Sequence, residues 1–187
     1  QIFVIENSNN QKFKESINNK YPNAVCILTG SNKGYSVANN FGLKKVKTKY
    51  ALVLNPDAII SKNALENFLI CAKKNPEFWL IGPGNQDSKN TNYKHNSIIE
   101  VENIKGFAIF FNMKKFNEIF FDENYFLYFE EIDLCKKVLD QKGKIFLDKN
   151  ININHMGGSS VNLKFKEELE KNRNWHWMWS TFYFHKK

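Results

Sequence analysis

Three short apolar runs, at residues 2–5, 24–28 and 50–54, recur along the opening of the chain, each closed by a polar turn and each separated from the next by enough residues for a helix. Strand-length runs alternating with helical segments of about 10–15 residues predict an α/β fold with a mostly parallel central sheet flanked by helices. The first run ends in Glu6-Asn7-Ser8-Asn9-Asn10, a polar stretch able to cap a helix reaching Lys20. The second ends in a loop at 29–34 that leads into a helical stretch over 35–45. The third ends in Asn55-Pro56-Asp57, followed by a helix to Lys74 with Leu65, Phe68, Leu69 and Ala72 on one face. This order is that of a Rossmann-like, nucleotide-binding layer.

The second half changes character. Residues 85–96 are polar with no apolar period and read as a surface loop or weak hairpin. Strand-like runs follow at 98–101, 107–111 and 144–147. A helix over 131–141 carries Ile132, Cys135, Val138 and Leu139 at helical spacing, and residues 165–187 place Phe165, Leu169, Trp175 or His176, Trp179 and Phe182 near one helical face. No stretch has linker composition, so one domain is expected over 1–187, with a donor half at 1–84 and an acceptor half at 85–187.

The 187 residues are 42% hydrophobic and 25% charged, a globular balance. The formal net charge of +8 favours anionic partners such as nucleoside diphosphates or anionic lipid. It argues little for nucleic acid, because the lysines are dispersed and Arg173 is the sole arginine, the residue type best suited to reading base edges. Cys26, Cys71 and Cys135 are widely spaced in apolar stretches and read as buried thiols of a reducing compartment. No apolar run approaches the roughly 20 residues of a membrane span and no leader pattern is present, so the chain is expected to be cytoplasmic or peripheral.

Polar residues at strand ends are where an open α/β sheet binds its ligands. Asn55-Pro56-Asp57 sets a carboxylate at such an end: Pro56 stops the strand, and Asp57 could serve a hard divalent cation or simply cap the next helix. Residues 126–134, Phe-Leu-Tyr-Phe-Glu-Glu-Ile-Asp-Leu, set three carboxylates directly after four apolar or aromatic residues. Such carboxylates suit a helix N-terminus electrostatically, and one held rigidly is also a candidate general base. His155 precedes Gly157-Gly158-Ser159-Ser160, where glycines allow close backbone approach to an anion, and it could complete a metal site with Asp57. Finally, Trp175-His176-Trp177-Met178-Trp179 with Phe182, Tyr183 and Phe184, interleaved with Lys171, Lys186 and Lys187, fits either a helix lying on a membrane surface or one packed against the core.

Together these segments resemble inverting family 2 glycosyltransferases of the GT-A type, especially a rhamnosyltransferase-like branch of bacterial surface polysaccharide assembly. The resemblance rests on Asn32-Lys33-Gly34-Tyr35-Ser36-Val37-Ala38-Asn39-Asn40-Phe41-Gly42, on Leu54-Asn55-Pro56-Asp57-Ala58, on Phe121-Asp122-Glu123 with 126–134, and on His155 with Gly158-Ser159. It implies a UDP- or dTDP-linked sugar donor and a glycan or lipid-linked acceptor hydroxyl. It assigns donor binding to Glu6, Asn32, Gly34, Asn39, Asn55, Asp57 and Gly106, and Mg²⁺ or Mn²⁺ to Asp57 and His155. The base is Glu131, where the family usually has Asp, and Glu130, Asp133 and Ser159 fall on the acceptor or supporting side. By the same resemblance the family's first strand would precede Gln1. A sugar-1-phosphate nucleotidyltransferase would instead call for a Gly-rich phosphate loop, and a catalytically incomplete fragment or non-catalytic remnant would keep the fold without the reaction.

Overall fold

Each of the three opening runs forms a strand in the computed structural model, which describes residues 1–84, 97–117, 120–155 and 166–187. In chain order the elements are β1 (Ile2–Glu6), α1 (Gln11–Lys20), β2 (Ala24–Leu28), α2 (Gly34–Leu43), β3 (Tyr50–Leu54), β4 (Ala58–Ile60), α3 (Ala64–Lys74) and β5 (Phe78–Pro83). They continue as β6 (Ile98–Glu100), β7 (Ala108–Asn112), α4 (Glu130–Asp140), β8 (Lys144–Asp148), β9 (Ile153–His155) and α5 (Lys166–Lys186). The polar segment 85–96 lies outside the described residues. Two compact units are present: Gln1–Lys47 with Asn117–Glu130 and Asn172–Lys187, and Thr48–Phe116 with Glu131–Lys171.

In the first unit, β1 and β2 pair in parallel from Ile2 opposite Ala24 to Glu6 opposite Leu28. Asn10 caps α1, its side-chain oxygen accepting the Phe13 N–H at 3.0 Å. Helix α2 buries Ser36, Ala38, Asn40 and Leu43. Asn40 does the work of a backbone partner: its amide donates to the Phe121 carbonyl and accepts the Phe121 N–H, both at 2.9 Å, which satisfies a buried stretch without secondary structure.

The second unit holds a five-stranded sheet in the order β3-β7-β5-β8-β6 and a separate β4–β9 pair. The expected parallel pairing is found in β5–β8, as in β1–β2, whereas β3–β7, β5–β7, β6–β8 and β4–β9 are antiparallel. The sheet is therefore mixed. Strand β6 runs opposite to β8 at the edge, and in the interior β7, with all five of its residues buried, runs opposite to both neighbours. An apolar run buried on both faces carries no alternation from which strand direction can be read. Phe110 of β7 stacks on Phe68 of α3 at 5.0 Å and on Phe78 at 6.0 Å, and each fully buried ring contributes roughly 1.5–3 kcal/mol. All three cysteines are buried free thiols, as expected, and burial pushes those of Cys71 and Cys135 up to about 12.

The face of α5 that packs inward carries His176, Ser180, Tyr183 and Phe184 rather than Trp175, Trp179 and Phe182. Trp175, Met178, Trp179 and Phe182 are exposed, as is Trp177, while Ser180 is buried. Polar partners decide the orientation. Ser180 donates to the Leu127 carbonyl at 2.8 Å, and the Tyr183 hydroxyl donates to Asp122 at 3.1 Å. Lys187 pairs with the same carboxylate at 2.7 Å. Of the aromatic residues at 175–184, Trp175, Trp179 and Phe182 are thus exposed, whereas His176, Tyr183 and Phe184 meet Phe126, Tyr125 and Phe129.

Burial by itself raises the proton affinity of Asp122, but hydrogen bonds from Lys187 and from the backbone and side chain of Asn124, with the Lys187 charge, hold it down to about 2. A carboxyl depressed in the folded state stabilises the fold above its unfolded value and loses that contribution as pH falls towards the folded one. The stability difference between wild type and Asp122→Asn, read by urea unfolding, is expected to be constant above about pH 5 and to shrink steadily towards pH 2.

Candidate functional site

The loops after β1 and β2 are tied together by one amide. Asn7 donates to the Asn32 side chain at 3.0 Å and to the Gly34 carbonyl at 3.1 Å. Its oxygen accepts from the Thr29 hydroxyl and from the Lys33 N–H, each at 3.0 Å. Asn32 in turn accepts the Gly34 N–H at 3.1 Å. Glu6 accepts a hydrogen bond from Ser8. The candidates Asn32 and Gly34 are thus brought together at the C-terminal ends of a parallel pair, with Glu6 on the adjoining strand.

Gly34 starts α2 with φ +82°, and a Cβ there would collide with the carbonyl oxygen and Cα of Phe126. The next residue, Tyr35, donates its N–H to that same carbonyl at 2.8 Å. Glycine allows the backbone of 126–129 to lie directly against the start of the helix. Asn39 bonds back to the Tyr35 carbonyl of its own helix at 2.9 Å.

In the second unit, β4 and β9 are paired so that Ala58 lies opposite His155. This sets Asp57 Oδ1 3.1 Å from His155 Nε2, with both side chains partly exposed. The His155 ring is stacked on Phe107 at 4.6 Å with 6° between planes, which fixes the direction of its nitrogens. Asn55, two residues before Asp57, is held by its N–H donating to the Phe107 carbonyl at 2.8 Å. One carboxylate oxygen and one imidazole nitrogen facing each other are a donor set that fits a divalent cation such as Mn²⁺, with the remaining positions left for phosphate or water oxygens. Among the described residues no group of three or more His, Cys, Asp or Glu side chains gathers as a metal cluster.

Glu131 occupies the first turn of α4. Burial is the largest influence on its carboxyl and raises its proton affinity above that of an ordinary glutamate, partly offset by hydrogen bonds from its own N–H and those of Gly106 and Ile132. A carboxylate with raised proton affinity and a fixed position is suited to accepting a proton. Glu130 is buried, and Asp133 is buried against Lys137 at 3.0 Å. Directly before α4, Tyr128 and Phe129 have φ of 70° and 68°. Left-handed conformations cost non-glycine residues about 1–3 kcal/mol each, so surrounding contacts must hold them. Ser159 lies outside the described residues.

Residues 1–135 match the model of the family described as Glycosyl transferase family 2. The chain belongs to that family. A curated relative, the minor teichoic acid biosynthesis protein GgaB of Bacillus subtilis (strain 168), is 29% identical over 145 residues, covering 70% of this chain and 16% of the relative. Solved structures share the fold of this family 2 chain at low identity. One is GalNAc-T7 with UDP, GalNAc and Mn²⁺ (TM-score 0.67, 13% identity, 83% of this chain and 37% of that one). Another is S. aureus TarS (TM-score 0.62, 15% identity, 82% of this chain and 30% of that one). A third is TarS 1-349 in complex with UDP (TM-score 0.62, 15% identity, 82% and 49%). The family 2 chain therefore spans well under two thirds of these relatives, and the likeness establishes a GT-A fold.

Sequence reasoning missed Asn7, Thr29 and Asn40, which organise the loops of the first unit. Asn7 and Thr29 each directly follow a strand, where an amide or hydroxyl commonly ties down a turn, and that was the available signal. Gly34→Ala is expected to lower unfolding stability by at least about 1–3 kcal/mol, measured by urea denaturation, because it meets both positive φ and backbone contact.

Proposed function

We propose that this chain transfers a hexosyl unit from a nucleoside diphosphate sugar to a hydroxyl of a glycan or lipid-linked acceptor, with inversion, in assembly of a bacterial surface polymer. The observation that carries the reading is Glu131, a carboxylate of raised proton affinity fixed at the start of α4 by the Gly106 N–H in a family 2 transferase. Glu131 takes the proton from the acceptor hydroxyl, whose oxygen attacks the anomeric carbon from the face opposite the leaving diphosphate, in one displacement. Asp57 and His155 would hold Mg²⁺ or Mn²⁺, which supplies positive charge for the departing nucleoside diphosphate. Phe107 keeps the His155 imidazole in plane for that role.

The loop ends organised by Asn7, carrying Glu6, Asn32 and Gly34, bind the nucleoside portion, UDP or dTDP. UDP is bound by two of the fold neighbours, GalNAc-T7 and TarS 1-349, and the curated relative acts in teichoic acid biosynthesis. The motif likeness to a rhamnosyltransferase-like branch and the relation to a teichoic acid biosynthesis protein both favour a role in building a cell-surface polymer.

Calorimetric titration with UDP and dTDP is expected to show Mn²⁺-dependent binding that Asp57→Ala abolishes. Glu131→Gln is expected to keep nucleotide binding and lose about 10²–10⁴-fold in kcat. Wild-type kcat should rise with pH along a limb set above the ordinary glutamate range, and the NMR product should have inverted anomeric configuration. No binding of either nucleotide would leave a GT-A fold that does not perform the reaction.

We also place the chain at the cytoplasmic face of the plasma membrane, where a lipid-linked acceptor resides. No described helix is long and apolar enough to cross a membrane, but Trp175, Met178, Trp179 and Phe182 form an exposed stripe on α5, with Lys186 over the Phe182 ring. Aromatics beside lysines suit an anionic interface. Co-sedimentation with phosphatidylglycerol vesicles is expected, and Trp175→Ser with Trp179→Ser should reduce it; equal pelleting without lipid would count against it.

A further inference from the structure

We infer that α5 is a positioning element for the nucleotide-binding loops: its His176 holds Phe126 against Gly34, at the turn that Asn7 and Asn32 organise. Every residue in this series of contacts lies in the unit of Gln1–Lys47, Asn117–Glu130 and Asn172–Lys187. Lys33, which precedes α2, carries no acceptor in its side chain, so the first N–H groups of the helix are met from elsewhere. Asn32 accepts that of Gly34 at 3.1 Å, and the Phe126 carbonyl accepts that of Tyr35 at 2.8 Å. The Cα, carbonyl oxygen and ring edge of Phe126 lie so close to Gly34 that a Cβ there would meet all three.

Residues 126–129 belong to no helix or strand, and Tyr128 and Phe129 have φ of 70° and 68°, so contacts with other segments must set their place. Helix α5 supplies those contacts. The Phe126 ring stacks on His176 at 4.5 Å with 13° between planes, and the Leu127 carbonyl accepts from Ser180 at 2.8 Å. Phe129 meets both Trp177 and Phe184 at 5.3 Å. Among the described residues the buried Nδ1 of His176 meets no hydrogen-bond partner, so the imidazole acts through its face. Without that face the Phe126 ring and carbonyl can withdraw from Gly34, and the Tyr35 N–H loses its acceptor. The turn then loosens at the Gly34 bonds to Asn7 and Asn32. A site that is competent for only part of the time binds more weakly by that fraction. Helix α5 lies wholly beyond the residues 1–135 that match the family, so family membership does not account for this contact.

The inference rests on the reading that the loops after β1 and β2 bind the nucleoside portion, and the test separates the two. His176→Ala and His176→Phe are compared with wild type by calorimetric titration with UDP and dTDP in Mn²⁺ and by amide hydrogen exchange. Loss of one ring stack bounds the effect, so in His176→Ala the nucleotide Kd is expected to rise about 3- to 10-fold at unchanged stoichiometry. His176→Phe keeps the stack and should bind within about twofold of wild type. Exchange of the Tyr35 amide should accelerate in His176→Ala by about 3- to 10-fold while the amides of β2 stay protected. An unchanged Kd in a folded His176→Ala, a His176→Phe that binds no better than His176→Ala, a fall in stoichiometry at unchanged Kd, or acceleration shared equally by β2 would each overturn the inference. Should His176→Ala not fold, Ser180→Ala, which removes the bond to Leu127, is expected to shift both readouts the same way by less, and its equality with wild type in both would overturn the inference. If wild type binds neither nucleotide, the assignment of these loops fails, while the exchange contrast at Tyr35 still decides whether α5 holds the turn.

Discussion

The pair Gly106-Phe107, immediately before the fully buried strand β7, is the point on which the second unit's candidate chemistry depends. Phe107 accepts the Asn55 N–H through its carbonyl and stacks its ring on His155, and His155 faces Asp57. Gly106 gives its N–H to the Glu131 carboxylate. Two adjacent residues thus connect the Asp57–His155 pair to Glu131. They are held still because β7 beyond them is buried along its whole length between β3 and β5. A buried ladder cannot shift without breaking backbone hydrogen bonds where water is excluded, so loop residues at its end inherit its rigidity.

The first unit solves a different problem. The loops after β1 and β2 carry few apolar side chains, and their order comes from amides that imitate backbone partners. Asn7 links four groups on the loops after β1 and β2. Asn40 does the same for Phe121, and Asp122 gathers Tyr183 and Lys187 from α5. Side chains of this kind set a geometry that apolar packing would leave loose, because each hydrogen bond constrains direction as well as distance. The same economy governs α5, whose inward face is chosen by Ser180 and Tyr183 while Trp175 and Trp179 remain in solvent.

Strained backbone at 128–129 sits between these two systems along the chain. Stored strain at such a place persists when neighbouring contacts over-determine it, and the ring contacts of α5 do so. The exposed and packed aromatics of one helix therefore have separate tasks: Trp177 and Phe184 press on Phe129, while Trp175, Met178, Trp179 and Phe182 form the outward stripe.

Periodicity and turn chemistry made much of this legible. The runs at 2–5, 24–28 and 50–54, the helix of 131–141 and the strand ends bearing Glu6, Asn32, Asp57 and His155 could all be read from spacing, and the motif likeness agreed with the family. Local propensity and hydrophobic period act over a few residues, so a sequence reveals them directly. Strand direction in β7 was not legible, because a run buried on both faces has no alternation to read. Nor was the inward face of α5, since its aromatic stripe outweighs Ser180 in any count of apolar residues while hydrogen bonds to Leu127 and Asp122, more than 50 residues away in sequence, decide the orientation. By itself the sequence determined most of the segments that become strands and helices, though not β4 and β5, and which side chains stand at their ends. Only the tertiary structure decided that Gly106 meets Glu131 and that α5 turns Trp175 and Trp179 outward, because those placements depend on chain closure over long separations that no local pattern encodes.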